Sequence, residues 1–190
     1  MNAETYPLGS ILTYEFPARS AEPQGINLHV QGMAGAAAGG IEMPACKLTW
    51  YDGGLRPPRP DGLPEGRVMG DNGRLLIGDK GFILGQKDSA VFPAECAKAA
   101  QAVARSIPRS AGHHAEWVAA CKGGKAAGSY FDWAGPLAEA VLLGNVALRV
   151  QLRDELTLHK LLWDSANLRV TNLDEANAYL RREYRQGWNG

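Results

Sequence analysis

An excess of charge of either sign is what this sequence most clearly lacks: 20 basic residues face 20 acidic ones. A net charge near zero provides no electrostatic footprint for nucleic acid or for an anionic membrane. The local basic cluster Arg181, Arg182 and Arg185 has an acidic residue interleaved with it and reads as a solvated helix face. Long apolar runs are missing as well. No stretch approaches the roughly 18 uninterrupted apolar residues that a membrane span requires. The opening MNAETYPLGS has neither the charged start nor the apolar run of a signal peptide, so the chain as written is expected to be cytoplasmic. Cysteine is scarce: Cys46, Cys96 and Cys121 are far apart and form no Cys-x-x-Cys pair. That argues against a disulfide framework and against a structural zinc or other metal site. All three read as small apolar core residues.

A nucleotide-binding fingerprint is missing too, although one segment imitates it. Ile26 to Val30 resembles a strand and is followed by Gly32, Gly35, Gly39 and Gly40. A pyrophosphate site needs the spacing G-x-G-x-x-G at a strand-to-helix turn, and an acidic ribose partner about 20 residues later. Neither is present, and the Lys and Ser/Thr of a phosphate-binding loop are absent as well. The region from about residue 20 to 44 reads instead as a flexible Gly/Ala-rich insertion.

What is there suits one domain spanning residues 1–190, able to bury roughly 70% of its unfolded surface. The first third is strand-like. Leu12, Tyr14 and Phe16 alternate with Ile11, Thr13 and Glu15, and Cys46, Leu48 and Trp50 alternate with Lys47, Thr49 and Tyr51. The two runs could pair as a hairpin, with the Gly/Ala-rich insertion as an excursion between them. Leu55 to Pro64 reads as an extended Pro-rich loop. Arg74 to Ile77 and Phe82 to Leu84 read as strands joined through Gly78-Asp79-Lys80-Gly81.

The second half reads as helical. A helix is expected from about His113 to Cys121, capped by Ser110 and ended by Gly123-Gly124. A second starts near Pro136 and reaches about Arg149, apolar on most sides and therefore expected to be deeply buried. Leu156 to Trp163 reads as a last strand. Asp174 to Tyr184 reads as a closing amphipathic helix that turns Leu173, Ala176, Tyr179 or Leu180, and Tyr184 inward. Strands followed by helices indicate an α+β fold, with helices on one face of an open, mostly antiparallel sheet.

Two groups of residues carry candidate ligand chemistry. Trp50, Tyr51 and Asp52 close a strand before a glycine pair: aromatic faces stack on sugars, and a carboxylate accepts hydrogen bonds from hydroxyls. The structural alternative places Trp50 in the core and makes Asp52 a turn opener. His113 and His114 open a predicted helix, where an imidazole could hydrogen-bond a sugar hydroxyl. Their alternative is packing: His114, Trp117, Val118 and Cys121 follow the spacing of a buried face, and His113 can lie over Trp117. Trp163-Asp164 and Trp188 read as structural.

From Lys47 onward, long ordered segments resemble the C-terminal domain of Gfo/Idh/MocA oxidoreductases. They are KLTWYDGGLRPPRP (Lys47 to Pro60), GDNGRLLIGDKGFILG (Gly70 to Gly85), Ile107 to Val150, and LLWDSANLRVTNLDEANAYLRREYRQGW (Leu161 to Trp188), joined by SILTYEFPAR (Ser10 to Arg19). The resemblance implies an α+β domain forming one wall of a sugar or polyol cleft, and a homo-oligomer or association with a Rossmann-domain partner. It also implies that NAD or NADP belongs to a nucleotide-binding domain not matched here, so this chain is expected to bind no cofactor itself. The family's catalytic lysine motif has no counterpart in this sequence, and no catalytic residue is carried over. Relatives in this branch often carry an export signal, so an exported parent protein is compatible with the resemblance. The competing expectation is a stand-alone binding or assembly module, or a truncated gene product, without redox activity.

Overall fold

Alternating side chains put the first strands where the sequence expects them. The structure, a computed structural model, describes residues 5–21, 41–85, 88–104, 109–152 and 158–188. It divides into two units, Leu8–Arg109 and Met1–Pro7 with Ser110–Gly190. In the first unit β1 (Ile11–Phe16) pairs antiparallel with β4 (Cys46–Tyr51), and β2 (Arg19–Ala21) pairs with β3 (Ile41–Met43). The register is unbroken between the two ladders: Phe16 faces Cys46, and Arg19 faces Met43, with two residues between on each side. Those intervening pairs contain Pro17 and Pro44. Proline has no N–H to give to a ladder, so the hydrogen bonding lapses while the register survives. The expected hairpin is therefore present. Most of the Gly/Ala-rich insertion, residues 22–40, lies outside the described residues.

The same unit holds a three-stranded antiparallel sheet, β5 (Arg74–Ile77), β6 (Phe82–Gly85) and β7 (Ser89–Phe92), in sequence order. β5 and β6 are joined through the expected turn, where the Gly78 N–H donates to the Gly81 carbonyl at 2.9 Å. Gly81 is required by a close approach, because a Cβ there would lie 2.1 Å from the Phe92 oxygen. Leu63, Phe82 and Leu84 are buried together, with Met69, Leu75 and Phe92 against them, and the Phe82 and Phe92 rings stack 5.0 Å apart. The Pro-rich stretch covers this core as a loop. Two arginines hold it: the Arg59 guanidinium donates to the carbonyls of Leu63, Pro64 and Arg67, and Arg56 donates to the Met69 carbonyl and pairs with Asp71. Backbone acceptors that no strand could satisfy are met in this way. β7 leads through Pro93 into α1 (Ala94–Gln101), which packs on β7.

The second unit is built on α2 (His113–Cys121) and α3 (Phe131–Gln151), a short hairpin of β8 (Trp163–Asp164) and β9 (Arg169–Val170), and a 3₁₀ helix, Asp174–Tyr179. Val146 and Val150, one helical turn apart on α3, meet Val170 and Ala176, with Leu161, Trp163, Leu173, Tyr179 and Leu180 around them. Two asparagine amides take the place of longer strands. Asn177 accepts from the Val170 N–H at 2.8 Å and donates back to its carbonyl at 3.0 Å, as a neighbouring strand would. Asn172 accepts from the Leu162 N–H and donates to the Lys160 carbonyl.

The fold is α+β: small open antiparallel sheets with three α-helices and a 3₁₀ helix, none of the sheets closing into a barrel among the described residues. Several local expectations need correction. α3 is not deeply buried; Leu137, Val141 and Leu142 are exposed, and only its Gly144, Val146 and Val150 are buried. It also begins earlier than Pro136, at Phe131, which places the proline inside its first turns. The strand expected from Leu156 to Trp163 is only Trp163–Asp164 and is followed by β9, while Leu156 and Thr157 lie outside the described residues. The closing helix is a 3₁₀ helix that stops at Tyr179; Ala176 is buried as expected, but Tyr184 is exposed. Cys46 and Cys121 are exposed free thiols and Cys96 is half-buried, so none is a core residue. No helix among the described residues is long and apolar enough to cross a membrane.

Candidate functional site

The end of β4 presents the first group of candidates. The antiparallel register places Leu12 opposite Trp50, Tyr14 opposite Leu48 and Phe16 opposite Cys46, so these six side chains share one face. Trp50 is 57% exposed, Leu48 49% and Phe16 42%. Trp50 is thus not a core residue, and its ring is open to a partner. Tyr51, opposite Ile11 on the other face, is half-buried.

Asp52 closes the ribbon. Its Oδ1 accepts from the Ser10 N–H at 2.6 Å, its Oδ2 accepts from the Ser10 hydroxyl at 2.8 Å, and its own N–H donates to the Ser10 carbonyl. Ser10 is buried, so this carboxylate satisfies a polar group that water does not reach. Each oxygen retains a lone pair with which a ligand hydroxyl could bond. The chain then turns through Gly53, where φ is +63° and a Cβ would fall 2.0 Å from the Leu8 carbonyl oxygen. Only glycine fits that crossing.

His113 and His114 begin α2, and both are exposed. The two rings lie 4.1 Å apart, tilted by 53°, so His113 rests beside its neighbour. The buried face expected of α2 is not formed; Trp117 and Val118 are exposed. Gly112, not Ser110, is the N-cap residue; the Gly112 N–H donates to the Ser110 Oγ. Glu116 in the same helix is held below the usual carboxylate range, first by the Ser110 hydroxyl and then by the Gly128 N–H, which donates to it at 3.0 Å. Trp50, Tyr51 and Asp52 belong to one unit and the two histidines to the other. Among the described residues, no three His, Cys, Asp or Glu side chains converge as a metal site would require.

A further site, unmarked in the sequence reading, lies wholly within the second unit. α3, the β8–β9 hairpin, the end of the 3₁₀ helix and the segment Thr5-Tyr6 enclose an open cleft of about 690 Å³. Glu139, Leu142, Val146 and Arg149 face it from α3 at helical spacing. Glu139 Oε1 accepts from the Trp163 indole N–H at 2.6 Å and the Ser165 hydroxyl at 2.7 Å, fixing the hairpin to the helix. The Arg149 guanidinium lies 5.8 Å from the centre of the Tyr179 ring. Arg181 and Arg182 line it as well. The available signal was the α3 stripe itself, with a polar residue at each end of an apolar run, and the paired arginines immediately after Tyr179-Leu180.

Compared with known proteins, the chain is matched by no family model and by no curated protein, so its functional reading rests on its own residues.

Proposed function

We propose that this chain is the substrate-side and oligomerisation domain of an NAD(P)-dependent sugar or polyol oxidoreductase of Gfo/Idh/MocA type, and that it does not catalyse alone. The observation that carries this reading is the apolar face of the β1–β4 ribbon. Phe16, Leu48 and Trp50 remain in water on a two-stranded element, which by itself is marginally stable. A sheet of this kind is expected where another chain or domain supplies the cover. The segments that resemble the family also coincide with whole elements: KLTWYDGG with β4 and its turn, GRLLIGDKGFILG with β5 and β6, and LLWDSANLRVTNLDEANAY with β8, β9 and the 3₁₀ helix.

In this reading Trp50 offers a ring face to a sugar, Tyr51 and Asp52 offer polar groups beside it, and His113 and His114 offer imidazole nitrogens to hydroxyls. NAD or NADP is not assigned to this chain. The one strand-to-α-helix junction among the described residues, from β7 to α1, has Pro93 at the N-cap where a pyrophosphate site needs glycine. Hydride transfer would depend on a partner domain.

Two measurements test the reading together. Incubation with NADH or NADPH and a panel of keto-sugars should give no turnover above a blank, and sedimentation should show a species larger than a monomer. Turnover by the chain alone would sink the claim that it is not catalytic. A monomer at all concentrations would sink the oligomerisation role. The competing reading, a stand-alone assembly module, draws on the same exposed face. Calorimetry with the sugar panel separates the two, because a pure assembly module takes up no heat-detectable sugar.

A further inference from the structure

The cleft of the second unit has a composition that selects a ligand. Its walls are largely aliphatic, with Leu142, Leu143, Val146 and Leu168 among them, and its volume of about 690 Å³ is that of a small-molecule site. Among the described residues, the charged groups on it are Glu139, Arg149, Arg181 and Arg182. Arginine stays protonated at any physiological pH, so the described lining has two more positive charges than negative ones near neutrality. The acid among them is already engaged, because Glu139 holds the Trp163 indole and the Ser165 hydroxyl. Arg181 and Arg182 form no ion pair among the described residues. Two arginines, consecutive in sequence and both lining an apolar trough, suit an anion with an oily body. The forked donors meet a carboxylate or phosphate, and the hydrocarbon leaves water along α3.

We propose that this cleft binds an amphipathic organic anion: an alkyl or aryl body with a single carboxylate or phosphate head that pairs with Arg181 and Arg182. The site is separate from Trp50, Tyr51 and Asp52 and does not depend on the oxidoreductase reading. The positive field attracts the head, and the aliphatic wall rejects small inorganic anions by giving them nothing to bury. Specificity therefore requires both halves of the ligand.

The test uses the full chain with decanoate, decyl phosphate and the neutral 1-decanol as probes, all below their micellar concentrations. Binding is followed by calorimetry and by the Trp163 indole N–H resonance, assigned through Trp163→Phe. Decanoate, decyl phosphate or both should bind and shift that resonance; which of them binds more tightly identifies the head group. Arg181→Gln combined with Arg182→Gln should weaken anion binding about tenfold or more, since hydrogen bonds to charged groups are lost, and should leave 1-decanol unaffected. Both arginines are exposed, so the double variant should fold; an unchanged far-ultraviolet circular dichroism spectrum checks this, and Arg181→Lys with Arg182→Lys retains the charge if it does not. Equal binding of 1-decanol and the anions would overturn the proposal. So would undiminished anion binding in the double Gln variant, or no binding to the intact chain at millimolar probe.

Discussion

The β1–β4 ribbon and the β5–β6–β7 sheet belong to the same unit and are both antiparallel, yet they treat their apolar faces in opposite ways. In the sheet Phe82 is 7% exposed and Leu84 4%, while in the ribbon Trp50 is more than half exposed and none of the twelve paired residues is buried. The sheet has a third strand, and a loop held over it by Arg56 and Arg59. The ribbon has neither. The ribbon strands alternate apolar and polar residues while Phe82–Leu84 of the sheet is apolar throughout, yet it is the alternating face that stays open, so an apolar strand face marks what can be covered without saying what covers it. A third strand and a tethered loop turn such a face into a core; without them it remains open to water.

The largest expected effect breaks the covered side of this comparison. Phe82→Ala removes a ring stacked on Phe92 inside a small core and should cost about 3 kcal/mol in denaturant unfolding. An intermediate effect is expected where the ribbon closes. Gly53→Ala forces a Cβ against the Leu8 carbonyl and should destabilise by about 2 kcal/mol. Gly54→Ala, with φ of +85° and nothing within 4 Å, should cost only about 1 kcal/mol. Equal losses at the two glycines would show that the Leu8 carbonyl does not constrain position 53.

On the open side, Trp50→Ser should change stability by less than about 1 kcal/mol, because it removes only an exposed cross-strand pair with Leu12. Sedimentation should nevertheless show self-association weakened about tenfold or more if that ring is an interface anchor. A loss as large as that of Phe82→Ala would erase the distinction between the two sheets. The smallest effect concerns Tyr14, also on the ribbon face, whose partial burial pushes its phenol above the ordinary value of 10.0. The neutral form is favoured in the fold, so the associated stability is complete below the ordinary tyrosine range. It is lost as pH rises from there through the folded value. Tyr14→Phe should remove this alkaline decline, as read from unfolding midpoints across that range.

Much of the first unit was legible locally. β1, β4, β5 and β6 were readable because strand alternation and the Gly78–Gly81 turn are signals within a few residues. β7 and α1 were not. Ser89–Phe92 spans only four residues, and α1 buries none of its side chains, so neither carries a periodic apolar stripe. Of the candidate residues, the turn-forming role of Asp52 was readable from Asp before Gly-Gly, but its partner Ser10 is 42 positions away. The cleft was invisible in the same way, since Glu139 meets Trp163 only after α3 and the hairpin have packed.

The sequence alone determined the class of fold, the strands β1, β4, β5 and β6 and the turn between the last two, because each depends on side-chain period or on a residue with special backbone freedom. It also set the balance of 20 basic and 20 acidic residues. Tertiary structure decided which apolar faces are covered, why Trp50 and Trp117 face water, and how three arginines come to line one cleft. Burial and charge convergence are properties of distant segments brought together. No local pattern encodes them, since the same alternation or helical stripe serves a core and an interface equally well.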